Sequence, residues 1–279
     1  MKSHRESLDF IIRNKQIRTV FQPIISLKSG TVLGYETLSR ITCESEFENP
    51  ETLFRAAQEY NRLWDLELLC RVTALEAAAQ RFMVSSDHKK LFINVNPNIM
   101  HDEAFRKGFT KDFLRQYDIA PRNVIFEITE KNVIDDMVGF KTTIAHYKSQ
   151  DYGIAIDDAG AGYSGLNLIS DVNPNFIKLD MKLIRNIHTD NLKRALVKGM
   201  VEFSKASNIM IIAEGIETDE ELETIINLGV QYGQGYYIQK PDSEIHPVKP
   251  EVIAAIYDMN IKKNRKHKLS YLDNNNFMP

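Results

Sequence analysis

Short runs rich in β-branched and aromatic residues alternate along this chain with longer stretches of helical periodicity. The eight runs are, in order, RTVFQPII, GTVLGYETL, KLFINVN, NVIFEIT, YGIAIDD, PNFIKLD, IMIIAEG and QYGQGYYI. Strands that alternate with helices predict βαβ units and a mainly parallel sheet. Eight of them within about 240 residues favour a closed barrel, although the pattern alone does not exclude an open sheet. Because only the short segment SLKSG joins the first two runs, we expect one early strand to be antiparallel.

Charge and cysteine usage limit the compartments and partners that fit this chain. The formal net charge is −3, which creates no global field for a DNA or RNA polymer or an anionic membrane. The N-terminus is too charged for a signal peptide, and no apolar run approaches the ~18 residues of a membrane span. Cys43 and Cys70 are the only cysteines, and two isolated thiols suit a reducing compartment. The sequence therefore predicts a cytoplasmic protein.

The chain contains no Pro-, Gly- or Ser-rich stretch long enough to be a linker, so we predict a single barrel over residues 1–258. Residues 259–279 are basic and then Asn-rich, and they show no periodic apolar face. This composition predicts a flexible, solvated tail. A role in binding a partner is the alternative.

The stretch IAIDDAGAGYSG allows two interpretations. Its glycines fit the pattern G-x-G-x-x-G, and Asp180 lies twenty residues after Gly160, as in a dinucleotide-binding turn. However, Asp157 and Asp158 directly precede the glycines, where they would oppose a pyrophosphate. The stretch also lies in mid-chain, after several predicted strands. We therefore favour a metal-site loop over a dinucleotide site.

Polar residues recur at or near the C-terminal ends of the predicted strands. They are Glu36, Asn94, Glu127, Glu130, Asp157, Asp158, Lys178, Asp180, Glu214, Glu217 and Gln234. The C-terminal ends of barrel strands converge at one mouth, so residues far apart in sequence would meet there. A single Asp in this position is more often a turn or helix cap. Repeated Glu is harder to explain in that way, because Glu is a poor turn residue.

A cluster of this composition predicts metal-assisted phosphate chemistry. Carboxylates that are held together repel each other unless cations neutralise them. Oxygen ligands without thiolates suit Mg²⁺ or Mn²⁺, or an inhibitory Ca²⁺. Two such ions ~3.5–4 Å apart stabilise the attacking and the leaving oxygen of a phosphoryl displacement. A lysine among them can orient the attacking water. Hydrolysis of a phosphate ester is the expected reaction.

Several motifs, in order, resemble those of the EAL family of cyclic di-GMP phosphodiesterases over roughly residues 8–245. They are FQPI at 21–24, YETLSR at 35–40, NVNP, FEITE, DDAGAGYSG, FIKLD, AEGIET and GQGYYIQKP, and YETLSR matches the name-giving Glu-x-Leu-x-Arg. The resemblance implies an α/β fold, a variant TIM (β/α)8 barrel with one antiparallel strand. It also implies a homodimer that hydrolyses cyclic di-GMP to linear pGpG and so lowers the level of this second messenger.

The resemblance also implies a role for each matching residue. Glu36, Asn94, Glu127 and Asp157 correspond to ligands of the first metal ion, and Asp158 with Asp157 to ligands of the second. Lys178 corresponds to the lysine that positions the water, and Glu214 to the general base or a further metal-site residue. Four further positions are expected near the substrate: Arg40, Leu38, Gln234 and Gln22. Glu217 would contact the substrate or support the site, and Glu130 would anchor the loop after the aspartate pair.

One departure from the family pattern keeps an alternative function open. The family loop reads close to D-D-F-G-T-G-Y-S-S, whereas this chain has Ala159, Ala161 and Gly165. Loss of the aromatic residue at 159 removes no ligand but could loosen the loop. The alternative is a barrel of low or no activity that serves as a cyclic di-GMP receptor or a protein-interaction module. No residues remain for a sensory domain, so an unidentified regulatory protein, expression or the dimer would control activity.

Overall fold

The computed structural model describes residues 3–83, 89–96, 99, 108–129, 137–160 and 165–275. Eight strands form a closed barrel in sequence order. They are β1 Ile17–Ser26, β2 Val32–Ile41, β3 Lys90–Asn94, β4 Val124–Thr129, β5 Gly153–Ala159, β6 Phe176–Leu179, β7 Met210–Ala213 and β8 Tyr232–Gly233. Each strand coincides with one of the eight runs predicted from the sequence, so the predicted TIM-type barrel is confirmed.

Strand β1 is antiparallel to both of its neighbours, β2 and β8, whereas β2 to β8 run parallel to one another. A tight turn joins β1 to β2, in which the Gly30 amide donates to the Ser26 carbonyl at 2.8 Å. Gly30 has φ 67°, a left-handed conformation that glycine adopts without steric cost. The prediction of one antiparallel strand next to the SLKSG segment is confirmed.

Helices surround the barrel. They are α1 His4–Arg13, α2 Pro50–Glu59, α3 Leu63–Ala78, α4 Phe109–Gln116, α5 Met137–Ser149, α6 Gly165–Val172, α7 Met181–Ile184, α8 Asn191–Ser207, α9 Asp219–Leu228 and α10 Pro250–Asn275. The backbone of α10 is helical across the boundary expected at residue 258, and the division of the chain there stays a prediction. None of the helices in the described part of the chain combines the length and apolar character that a membrane crossing requires.

The apolar core has two parts that matter for the site. A large cluster packs the outward faces of the strands against the helices. A smaller cluster packs together residues from six strands: Ile24, Phe92, Ile125, Ala155, Phe176 and Ile212. In a strand, residues two positions apart share a face. This cluster therefore supports whatever side chains lie two positions further toward the C-terminal mouth.

Candidate metal centre

One polar layer lies directly on this small apolar cluster. Five of its residues follow an apolar residue of the cluster by two positions: Asn94 follows Phe92, Glu127 follows Ile125, Asp157 follows Ala155, Lys178 follows Phe176, and Glu214 follows Ile212. Because β1 runs in the opposite direction, its contribution precedes Ile24 by two positions and is Gln22. Gln22 pairs in register with Glu36 of β2. The structure thus brings into one layer the predicted residues Glu36, Asn94, Glu127, Asp157, Lys178 and Glu214, together with Gln22.

Lys178 lies at the centre of this layer and is fully buried. Its Nζ is 2.7 Å from Glu214 Oε1, 2.8 Å from Glu127 Oε1, 3.2 Å from Asp157 Oδ1 and 3.3 Å from Glu36 Oε2. Burial acts to lower the pKa of Lys178, but the four carboxylates raise this pKa well above its ordinary value. Without bound cations, the Lys178 side chain is therefore an ammonium at neutral pH.

Two amides connect the carboxylates to one another. Asn94 Nδ2 donates to Glu36 Oε1 and to Glu127 Oε2, each at 3.3 Å. Gln234 Nε2 donates to Glu36 Oε2 at 2.7 Å and to Glu214 Oε1 at 2.9 Å. Burial alone would raise the pKa of Glu36, but the Lys178 charge and these hydrogen bonds bring it below its ordinary value. The amides therefore orient carboxylates that would otherwise repel each other.

The aspartate pair owes its arrangement to a bulge in β5. Neighbouring residues of a regular strand point to opposite faces of the sheet. In β5 the register with β6 shifts between Ile156 and Ala159, and Asp158 has φ 57°. Such bulges re-aim side chains, and Asp tolerates the left-handed conformation better than most residues. As a result, carboxylate oxygens of Asp157, Asp158 and Glu214 lie within 4.8 Å of one another.

The charges of this layer fit divalent cations. Five carboxylates and a single ammonium meet among the described residues of the layer, so most of the negative charge has no cationic counterpart there. Burial, reinforced by the other carboxylates, raises the pKa of Glu127 and of Glu214 well above the ordinary value despite Lys178. Hard cations would relieve this repulsion, and carboxylate and amide oxygens are the ligands such cations prefer. Gln234 Oε1, which is buried and without a hydrogen-bond partner in the described part of the chain, is a further available oxygen.

A cavity of about 540 Å³ adjoins the polar layer, within the usual size range of small-molecule sites. Asn94 and Asp158 belong to both the layer and the cavity wall. Leu38 and Arg40 of β2 also line the cavity. The guanidinium of Arg40 donates to the Ser39 carbonyl at 2.9 Å.

The other predicted residues have different surroundings. Gln22 belongs to the polar layer and donates to the Gln239 carbonyl at 3.2 Å. Glu217 is exposed, forms an ion pair with Arg185 at 2.6 Å, and does not line the cavity. Asp180 accepts from the Lys182 amide at 2.6 Å as the N-cap of α7, which is a structural role rather than ribose binding. Glu130 and the loop residues 161–164 lie outside the described residues.

The sequence interpretation missed the cavity wall that α2 and α3 provide. Phe54 comes from α2, and the buried Glu67 and Arg71 come from α3. The spacing of Glu67 and Arg71, four residues apart within the apolar run LWDLELLCRVTALEAA, is the signal that could have identified them. An acid and a base on the same face of such a helix predict a buried pair.

The fold and the layer define a class of protein: a TIM-type barrel with one antiparallel strand, whose C-terminal mouth holds carboxylates suited to divalent cations beside a ligand-sized cavity. The model of the EAL domain family matches residues 4–241 of this chain. The chain belongs to that family.

Among curated proteins, the chain is similar to the cyclic di-GMP phosphodiesterase RocR of Pseudomonas aeruginosa. The two are 27% identical over 234 residues, which is 84% of this chain and 59% of RocR. The chain spans 45% and 31% of the lengths of two further curated relatives. It therefore corresponds to a part of these larger proteins.

Two solved structures have the same fold. A standalone EAL protein from Vibrio cholerae O395, bound to c-di-GMP, is 33% identical with a TM-score of 0.72, over 84% of this chain and 96% of that one. Klebsiella pneumoniae BlrP1, in a calcium and cyclic di-GMP complex, is 28% identical with a TM-score of 0.75, over 84% of this chain and 58% of that one. BlrP1 has also been solved with manganese and cyclic di-GMP.

Proposed function

We propose that this chain hydrolyses cyclic di-GMP to linear pGpG with two divalent cations, Mg²⁺ or Mn²⁺. The observation that carries the proposal is the polar layer of five carboxylates, four of them in contact with Lys178, beside a cavity of about 540 Å³, in a member of the EAL domain family. The relatives that are named as cyclic di-GMP phosphodiesterases, or solved with that nucleotide, support the choice of substrate.

The cations would bind to Glu36, Asn94, Glu127, Asp157 and Asp158, and would supply Lewis-acid activation of the phosphodiester and of the attacking water. The distances around Lys178 support a role in orienting that water, because its ammonium is fixed by carboxylates on several sides. Glu214 accepts the proton of the water, since its carboxylate lies 2.7 Å from the Lys178 ammonium and within 4.8 Å of the carboxylate oxygens of Asp157 and Asp158.

The reaction adds one water across one phosphodiester bond. The water oxygen forms a new bond to phosphorus, the bond from phosphorus to the 3′ oxygen breaks, and the leaving oxygen is protonated. The ring opens to a linear dinucleotide with a 5′ phosphate. Arg40 in the cavity wall binds a phosphate, Leu38 packs beside it, and Gln234 and Gln22 complete the polar layer. Glu217 supports the site through its ion pair with Arg185.

The test is incubation of the purified protein with cyclic di-GMP and Mg²⁺ or Mn²⁺, with the linear product followed by chromatography. We expect pGpG with either ion and none in EDTA. Glu214→Ala is expected to abolish turnover while some nucleotide binding remains. Nucleotide binding without product under both ions would identify a receptor and contradict the hydrolase. Equal rates for Glu214→Ala and the parent would contradict the role of Glu214.

Several finer properties belong to the same proposal. We expect Ca²⁺ to inhibit, because a larger ion with flexible coordination fits a two-metal displacement less well. We also expect a cytoplasmic homodimer controlled by a regulatory protein. The tail predicted within residues 259–279 would start after Lys263, because Met259 is buried and the side chains of Asn260 and Lys263 donate to the carbonyls of Leu27 and Ile226. Glu130 would anchor the loop that follows the aspartate pair.

A further inference from the structure

Glu67 and Arg71 form a buried ion pair on α3 to which the proposed reaction assigns no role. Their side chains are 4% and 3% exposed, and Arg71 Nη2 lies 3.2 Å from Glu67 Oε2. A buried ion pair is often no more stabilising than apolar residues of the same volume. Stability alone therefore does not account for this pair. Both residues line the cavity, and their contacts show which parts of the site they hold in place.

Glu67 contacts the chain directly after β3. The backbone amide of Asn96 donates to Glu67 Oε1 at 2.6 Å, which is a short, charge-assisted hydrogen bond. Asn96 lies two residues after Asn94, the proposed cation ligand. On its other side, the same segment is held by the Val95 amide, which donates to the Glu127 carbonyl at 2.9 Å. Segment 94–96 is thus fixed between β4 and α3.

Arg71 in turn fixes Glu67. Its Nη1 donates to Thr110 Oγ1 of α4 at 3.0 Å, and its guanidinium carbon lies 5.2 Å from the centroid of the Phe126 ring. Phe126 directly precedes Glu127 in β4. These contacts with α4 and β4 hold the guanidinium beside Glu67.

We propose that Glu67 is a positioning residue that holds the side-chain amide of Asn94 in place for cation binding, through its hydrogen bond with the backbone of Asn96. This inference rests on the proposed function, in which Asn94 is a cation ligand. Contacts that orient metal ligands typically change metal affinity 10–100-fold when they are removed. The effect should therefore appear in cation binding, before any nucleotide is added.

Two double variants of the full chain separate this role from general destabilisation. Glu67→Gln/Arg71→Met keeps a carbonyl acceptor at 67 for the Asn96 amide, whereas Glu67→Met/Arg71→Gln removes it. Both carry one Met and one Gln, and neither leaves a buried charge unpaired. Isothermal titration with Mn²⁺ should give an affinity close to the parent for the first variant and about 10–100-fold lower for the second.

Asp65→Asn is the control on the same helix, because this carboxylate is 43% exposed and contacts Arg62. It should bind Mn²⁺ as the parent does, and thermal unfolding should show that both double variants fold. Equal Mn²⁺ affinity in the two double variants would overturn the inference. Parental Mn²⁺ affinity in both double variants, with only the KM for the nucleotide raised, would also overturn the inference, because the pair would then contact the substrate. A parent that binds Mn²⁺ without hydrolysing cyclic di-GMP would contradict the proposed function but leave this comparison valid.

Discussion

Replacement of Lys178 by Met tests the electrostatics of the polar layer in the metal-free protein. The ammonium lies 2.7 to 3.3 Å from four carboxylates, and the side chain is fully buried. At an effective dielectric constant of about 20, the shortest of these contacts is an attraction of about 6 kcal/mol before desolvation is subtracted. Removal of one partner from a buried ion pair typically costs about 3–5 kcal/mol. We expect Lys178→Met to lose stability in that range without added metal.

The loss should depend on pH in a defined direction. Burial and mutual repulsion already raise the pKa of Glu127 and of Glu214, and removal of the ammonium raises both further. Carboxyl groups whose pKa is raised on folding take up protons in the native state. Their unfavourable contribution is therefore complete above the folded pKa, shrinks as the pH falls through that value, and is absent below the ordinary pKa of the unfolded chain. Lys178→Met should approach the parent at low pH and diverge from it toward neutral pH.

The assay is thermal unfolding of both proteins in EDTA across a pH series, repeated with Mn²⁺. Mn²⁺ should raise the Tm of Lys178→Met more than that of the parent, because the cation no longer competes with an ammonium. The variant should nevertheless show no turnover with Mn²⁺. Lys205→Met is the matched control, since its ammonium also lies 2.7 Å from a carboxylate, that of Glu202, but on an exposed face. It should show no measurable change in Tm. An equally small change for Lys178→Met in EDTA at neutral pH would refute the reasoning.

Three further substitutions test separate parts of the site. Asp158→Asn keeps a residue that tolerates positive φ but removes the charge of a ligand. Titration should therefore show fewer or weaker Mn²⁺ sites, and the Tm should be unchanged. Two Mn²⁺ sites of parental affinity would contradict the role of Asp158. Arg40→Ala should raise KM for cyclic di-GMP about tenfold or more in initial-rate measurements, as expected for a lost hydrogen bond to a charged group, and an unchanged KM would exclude phosphate binding by this side chain. Ala159→Phe restores the aromatic residue expected from the family loop, yet Ala159 is only 2% exposed. Urea unfolding should show a loss of about 1–3 kcal/mol from overpacking, and no loss would show that the surroundings of residue 159 accommodate the ring.

The polar layer explains how one barrel combines stability with an accumulation of like charges. The apolar cluster beneath it comes from residues such as Phe92 and Phe176, whose rings lie 5.3 Å apart in an edge-on arrangement. Three of the carboxylates, Glu127, Asp157 and Glu214, follow a residue of that cluster by two positions. The strands and the packed apolar cluster, rather than loops, therefore hold the mutually repelling carboxylates in place.

The sequence by itself determined the strands and which residues approach the barrel mouth. Alternation of β-branched runs with helical stretches is a local property, and the convergence of strand ends follows from the barrel whatever the side chains are. For this reason Glu36, Asn94, Glu127 and Lys178 could be placed together from residue type and spacing. The short SLKSG turn was enough to predict the antiparallel strand.

Only the tertiary structure decided how these residues face one another. The bulge that turns Asp158 toward Glu214 depends on the register between β5 and β6, which no local pattern encodes. Likewise, Glu217 forms an ion pair with Arg185, and helix α3 places Glu67 in the cavity wall. Contacts between elements distant in the chain depend on how helices pack on strands. Periodicity determines which side of an element is apolar, but not which polar atom of another element it meets.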